Sequence, residues 1–240
     1  MAILSSNVNS FLLKVAALPS LPIFIGYLTI IFLSGLWQKK TSPLSLKPLL
    51  IVYNFGCCLI SAVTLLGFSF ALYSNGSIYG KIPSPVLTQV FTLYWITKVI
   101  ELGDTVFMVL RHRQRQISFL HVYHHASMLL LSDLSRLYYP WPSISTFLAI
   151  NSFIHVVLYL YYGLTAVNPD NPPKWKKQMT QIQILQFIIG FIIAFYGHRY
   201  HHFCVYSMFY GVTMIVLFSN FYYHAYVKVR TIKENAKKKC

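Results

Sequence analysis

Charge is scarce in this chain of 240 residues, and acid is scarcer than base: 10% of the residues are charged, with 20 Lys and Arg against 5 Asp and Glu. An ordinary soluble domain carries about 25% charged residues, so a water-soluble globule is excluded. Cysteine is sparse as well, with 4 residues: Cys57 and Cys58 inside an apolar run, Cys204 opening another, and Cys240 at the end. They form neither metal-type spacing nor a disulfide framework. The first 14 residues have no basic stretch ahead of an apolar one, and no removable signal peptide is expected. What is abundant is apolar surface, 56% hydrophobic and 17% aromatic residues. That content excludes disorder, and no soluble basic module is present to bind nucleic acid. A polytopic membrane protein with basic loops accommodates both the apolar excess and the net charge of +15.

A spanning helix needs about 20 mostly apolar residues. Seven segments qualify, at 18–37, 49–73, 86–110, 117–137, 143–167, 179–197 and 203–227. Connectors rich in Pro, Gly, Asn or charge are too short for a soluble domain, so the expected fold is all-α, seven transmembrane helices in one membrane-embedded domain over residues 1–240. Fifteen of the basic residues fall on one side: Lys39, Lys40 and Lys47, then Arg111, Arg113 and Arg115, then Lys174, Lys176 and Lys177, then six between Lys228 and Lys239. Lys14, Lys81, Arg136 and Arg199 fall on the other side, and Lys98 lies inside the third span. By the positive-inside rule the C-terminus is cytosolic, and the odd span count puts the N-terminus across the membrane. The glycosylation sequon at Asn75, Gly76 and Ser77 falls on that far side, and the tail from Lys237 to Cys240 resembles a dilysine retrieval signal of the endoplasmic reticulum.

Ionisable and strongly polar residues inside spans are costly and mark function by default. In the third span Lys98, Glu101 and Thr105 share one helical face, with Asp104 beside them. The fourth span opens on His121, His124 and His125, an H-x-x-H-H pattern that puts three imidazoles on one face. Asn151, His155, Tyr159 and Tyr162 form a polar stripe on the fifth span, and Thr180, Gln183 and Gln186 repeat every three residues on the sixth. All four clusters are expected to meet in the cytosolic half of the membrane.

Two chemistries use such histidines, and a third class of protein also tolerates a polar cavity. Iron-dependent lipid desaturases and hydroxylases carry H-x-x-H-H, and a second such pattern stands here at His198, His201 and His202. The assigned topology puts the two patterns at opposite ends of a bilayer core about 30 Å thick, and no further H-x-x-x-H box stands outside these two patterns to complete a di-iron set. The alternative is a nucleophilic imidazole, largely neutral at cytosolic pH with a reference pKa of about 6.5. It attacks a thioester and carries the acyl group as a covalent intermediate. A seven-span receptor or transporter is the third reading.

With these residues in place, the chain is similar to the ELO family of fatty-acid elongases, the membrane 3-ketoacyl-CoA synthases of the endoplasmic reticulum. The similarity runs from Lys98 to Tyr226. It is carried by K-x-x-E-x-x-D-T at Lys98, Glu101, Asp104 and Thr105, the histidine pattern at His121, His124 and His125, the stripe from Asn151 through His155, Tyr159 and Tyr161 to Tyr162, and T-x-x-Q-x-x-Q-F from Thr180 to Phe187. The stretch from Gln116 to Leu120 resembles the subgroup acting on polyunsaturated chains. Gly103 stands where the family carries a bulky apolar residue, which is expected to widen the pocket there.

The resemblance implies condensation of malonyl-CoA with a long-chain, polyunsaturated acyl-CoA to 3-ketoacyl-CoA, CO2 and CoA in a ping-pong sequence through an acyl-histidine. It implies His124 as the acyl carrier, His121 and His125 as orienting groups, and His155 and Asn151 as groups assisting decarboxylation and stabilising the enolate. Lys98, Glu101, Asp104, Tyr159, Tyr162, Gln183 and Gln186 are implied to line the substrate site, with Arg111, Arg113, Arg115 and Lys174 at the CoA mouth. No cofactor or metal is implied beyond the CoA thioesters. An acyl tunnel runs between the spans, and the far-side loop around His198 to His202 is expected to cap it. Membrane lipid and separate reductases and a dehydratase are the implied partners, and a homodimer is compatible.

Overall fold

The computed structural model describes residue 9 and residues 11–228. The basic residues from Arg230 to Lys239 and the dilysine-like tail lie outside the described residues. After a short helical stretch at 11–16 come α1 (Leu21–Lys40), α2 (Lys47–Asn75), α3 (Pro85–Glu101), α4 (Gly103–Leu110), α5 (Phe119–Tyr138), α6 (Pro142–Val167), α7 (Lys176–His201) and α8 (Tyr206–Tyr222). A 3-10 turn at Gln114–Gln116 precedes α5, and a π turn at Tyr223–Val227 extends α8.

Each of the seven expected segments is therefore helical. Four helices, α1, α2, α6 and α7, are long and apolar enough to cross a membrane. The other three segments fall short for identifiable reasons. The third is broken at Leu102 into helices of 17 and 8 residues. The fourth spends its length on histidines, Asp133 and Arg136. The seventh ends its α-helical part after 17 residues, where the π turn takes over.

Local chemistry sets the boundaries. Pro85 enters α3 behind Ser84, whose hydroxyl accepts from the Leu87 N–H at 3.2 Å, an N-cap interaction. Ser118 caps α5 in the same way on the His121 N–H at 3.2 Å. At the end of α2 the chain turns through Gly76 at φ 67°, whose N–H reaches the Leu72 and Tyr73 carbonyls. Only glycine enters that left-handed region without steric cost. The sequon Asn75 closes α2 with its Nδ2 on the Ala71 carbonyl, 2.6 Å away.

The exposure pattern is inverted relative to a soluble protein. Phe32 is 83% exposed and Leu66 68%, while Lys98 and Glu101 are 2% and 0% exposed. An apolar exterior of this extent suits lipid. With lipid outside, helices gain little from burying more hydrocarbon and associate instead through close packing of small residues. The seam between α2 and α6 follows that rule: Asn54, Cys57, Ser61 and Thr64 recur at three- and four-residue steps on the buried face of α2. Thr64 donates to the Ser152 hydroxyl at 3.1 Å, Cys58 reaches the Val156 carbonyl at 3.4 Å, and the ring of Phe55 lies over Gly163.

The break at Leu102 is filled from this seam. Tyr53 of α2 donates its hydroxyl to the Ile100 carbonyl at 3.1 Å, and its ring lies where a side chain at Gly103 would stand, 3.1 Å from the position of a Cβ. Gly103 thus widens nothing, contrary to expectation: the missing side chain is space already taken by Tyr53.

At the far end of the bundle Asp133, fully buried on α5, holds three helices together. It accepts from the Ser20 N–H at the start of α1 at 2.9 Å and from Arg136, whose guanidinium lies 4.4 Å from the centroid of the Trp95 ring on α3. Removing one partner of such a buried group leaves the others uncompensated. Asp133→Ala is expected to cost about 3 kcal/mol, read as a lower midpoint of thermal unfolding in detergent, and a wild-type midpoint would contradict this role.

Candidate active site

Glu101 ends α3 with no exposed surface, and its carboxylate is the acceptor for two neighbouring side chains. Lys98, one turn earlier, donates to both oxygens at 3.0 and 2.9 Å, and His155 of α6 places Nδ1 2.9 Å from Oε1. With Nδ1 donating to the carboxylate, the proton of neutral His155 is on that nitrogen, and Nε2 faces away from Glu101 with its lone pair free. Lys98 Nζ also stands 3.4 Å from Nδ1. In that tautomer this is a packing contact between two donors.

Across from His155 lies the histidine cluster of α5. The rings of His124 and His155 are 6.2 Å apart and within 23° of parallel, those of His124 and His125 are 5.5 Å apart, and those of His121 and His125 4.4 Å apart. His121 Nε2 is 2.7 Å from the Thr105 hydroxyl, which is itself 3.1 Å from the Tyr27 hydroxyl of α1. Phe218 of α8 meets the edge of His124 at 6.5 Å. His155 of α6 and Phe218 of α8 thus meet His124 of α5 from two sides.

A second set of polar groups borders the same space. Tyr159 donates to Asp104 Oδ2 at 2.7 Å, Tyr94 donates to Asn151 Oδ1 at 2.7 Å, and Asn151 Nδ2 faces Gln186 Oε1 at 3.5 Å. The arrangement joins an imidazole whose ring makes no hydrogen bond among the described residues, a carboxylate-held second imidazole and amide groups in one polar cluster inside the bundle. That is equipment for covalent acyl chemistry with proton transfer.

The members of this set differ in their distance from the helix ends. His124 lies five residues into α5, but His155 is near the middle of α6 and about 18 Å from its C-terminal end at 1.5 Å per residue. The cluster therefore extends to the middle of α6. Other expected members stand apart. Gln183 is half-buried and makes no hydrogen bond among the described residues, and Tyr162 is 40% exposed, touching Tyr159 and Tyr161 by ring edges. Arg113, Arg115 and Lys174 are exposed at the basic end of the bundle. Lys174 borders a cavity of about 380 Å³ formed with Leu164, Val167 and the loop at 168–173. Arg111, partly buried beside Arg113, has its pKa held below the ordinary guanidinium value by burial and by that second cation, a strain that an incoming anion relieves.

Tyr27, Tyr53 and Tyr94 were not among the expected residues. Tyr94 carried a usable signal, since it stands four residues before Lys98 on the same helical face. Tyr27 carried none, because its role exists only once α1 packs against α4. The second histidine pattern takes no part: His198 is bonded to the Phe203 carbonyl at 2.8 Å, and His201 is stacked on Tyr79 at 4.3 Å. His198 lies 12 residues past Gln186, about 18 Å along α7. Among the described residues, no three His, Cys, Asp or Glu side chains are grouped to hold a metal ion.

Residues 13–235 match the model of the ELO: GNS1/SUR4 family. The chain is 32% identical over 239 positions to very long chain fatty acid elongase 5 of Tachysurus fulvidraco, covering 94% of this chain and 81% of that protein. It is 30% identical over 255 positions to very long chain fatty acid elongase 4 of Homo sapiens, covering 99% and 79%. With very long chain fatty acid elongase 2 of Rattus norvegicus the identity is 32% over 247 positions, covering 95% and 87%.

A purely structural ion pair and a working one differ in a measurable way. Lys98→Met or Glu101→Leu alone leaves an uncompensated buried charge, at a cost of about 3 to 5 kcal/mol, whereas the double replacement removes both charges and restores most of the stability. Turnover is expected to stay lost in the double variant, because His155 no longer has its carboxylate. Recovery of both stability and turnover would reduce the pair to a packing device.

Proposed function

We propose that this chain, which belongs to the ELO (GNS1/SUR4) family, is the condensing enzyme of fatty-acid elongation, joining malonyl-CoA to a long-chain acyl-CoA through an acyl-His124 intermediate. The observation that carries the reading is the facing pair of imidazoles 6.2 Å apart, one of them held by Glu101 so that its second nitrogen is free.

In the first half-reaction a ring nitrogen of His124 attacks the thioester carbonyl. The C–S bond breaks, the imidazole proton passes to the departing thiolate, and CoA leaves as the free thiol. In the second, malonyl-CoA loses CO2, and the electron pair of that bond becomes the enolate of acetyl-CoA. The enolate carbon attacks the acyl-imidazole, the C–N bond breaks, and the imidazolate takes one proton to regenerate His124. His155 relays this proton: the lone pair on Nε2 first takes it from solvent and then hands it to the imidazolate, while Glu101 holds the ring in the way a carboxylate orients the base of a catalytic triad. Asn151 supplies a donor to the enolate oxygen, where negative charge develops. His121, tied to Thr105, and His125 orient the nucleophile.

The same reading places α1, α2, α3 with α4, α5, α6, α7 and α8 as seven crossings, with the basic ends in the cytosol of an endoplasmic-reticulum membrane and residues 1–240 as one domain. Arg111, Arg113, Arg115 and Lys174 there raise the local concentration of the polyanionic CoA head. The stretch from Gln116 to Leu120 supports a polyunsaturated acyl chain. The tail runs toward the far end, where Tyr79 stacks on His201 and Lys81 donates to the His202 carbonyl at 3.0 Å, closing the tunnel. A homodimer and the separate reductases and dehydratase complete the expected assembly.

Purified protein given a radiolabelled polyunsaturated acyl-CoA and malonyl-CoA is expected to form 3-ketoacyl-CoA at an undiminished rate in the presence of a chelator. His124→Ala is expected to lose about a thousandfold or more. Abolition by the chelator would favour iron chemistry, and absence of turnover in the wild type would favour a receptor or transporter. At the far end, Tyr79→Ala is expected to lengthen the product distribution, and an unchanged distribution would remove the closure.

A further inference from the structure

One fully buried aromatic side chain touches both the Lys98–Glu101 pair and the amide set and has no part in the steps above. Tyr94 of α3 is 1% exposed. The Lys98 ammonium sits 4.7 Å from its ring centroid, and its hydroxyl donates to Asn151 Oδ1 of α6 at 2.7 Å. An amide is free to present either end to a neighbour, but here the choice is constrained. The Tyr94 hydroxyl makes no other hydrogen bond among the described residues, so a reversed Asn151 would leave the phenolic hydrogen buried without an acceptor. Burying an unsatisfied donor costs about 1 to 3 kcal/mol. The remaining contact of the amide, Nδ2 to Gln186 Oε1, is 3.5 Å and too long to fix its orientation.

We infer that Tyr94 is a positioning residue: its hydroxyl holds Asn151 Oδ1, which keeps Nδ2 on the Gln186 side, only loosely engaged at 3.5 Å, as a donor preset for the enolate oxygen. Asn151 lies one turn before His155 on the same face of α6, which puts that donor beside the group delivering the proton. The Tyr94 ring, meanwhile, supports the cation that holds Glu101. A single side chain thereby sets the register between donor and proton carrier. A preset donor avoids the reorganisation that a freely rotating amide would undergo as charge develops. The inference rests on the elongase reading and deepens it.

Tyr94→Phe keeps the ring beneath Lys98 and removes only the hydroxyl, which makes it the informative variant. With acyl-CoA alone, CoA release is expected at the wild-type rate. With malonyl-CoA added, kcat for ketoacyl formation is expected to fall about tenfold or more, with KM for malonyl-CoA little changed. In an Asn151→Ala background the same replacement is expected to add nothing, because the amide it orients is gone. Three results would overturn the inference: an unchanged kcat, a parallel fall in both half-reactions with a lower unfolding midpoint, or an effect that adds in full to that of Asn151→Ala. A wild-type chain that makes no ketoacyl-CoA would instead bring down the elongase reading, and this inference with it.

Discussion

A carboxylate without access to water dictates much of this structure. Glu101 is fully buried, and an isolated ionised carboxylate in such surroundings is untenable. It survives by accepting from Lys98 and His155 at 2.9 to 3.0 Å. Because those donors come from α3 and α6, satisfying the charge also fixes how the two helices face each other. The same bonds decide the tautomer of His155, so the electrostatic requirement and the chemical one are met by one geometry.

Other features serve that geometry. Small residues along α2 let it lie close against α6, which brings His155 to the depth of Glu101. The interruption at Leu102 turns the chain so that Asp104 and Thr105 begin a new helix, one bonded to Tyr159 and the other to His121. Tyr53 fills the break and takes up the Ile100 carbonyl that it frees. At the opposite end Asp133 ties α1, α3 and α5 together by the same logic of a buried charge fully engaged.

The helices were legible because apolar length is a composition signal: all seven segments are helical, although among the described residues four of the helices are long and apolar enough to cross a membrane. The clusters on single helices were legible because periodicity places residues such as Lys98 and Glu101 on one face. Depth was not: residue count along a helix gives distance from its own end, but His124 and His155 meet only through the packing of α5 against its neighbours. The effect of Gly103 was also hidden, since the ring occupying its space comes from a residue 50 positions earlier. Tyr27 illustrates the same limit, an aromatic on an apolar helix whose hydroxyl acquires meaning only beside Thr105.

The central claim is that His124 carries the acyl group, and trapping that state tests it most directly. Wild-type protein incubated with acyl-CoA in the absence of malonyl-CoA, then quenched, digested and weighed, is expected to show the acyl mass on the peptide containing His124, with one CoA released per modified chain. Adding malonyl-CoA before the quench is expected to discharge it as 3-ketoacyl-CoA. Condensation that proceeds with no acyl mass on the protein, or with the mass on another residue, would contradict the account.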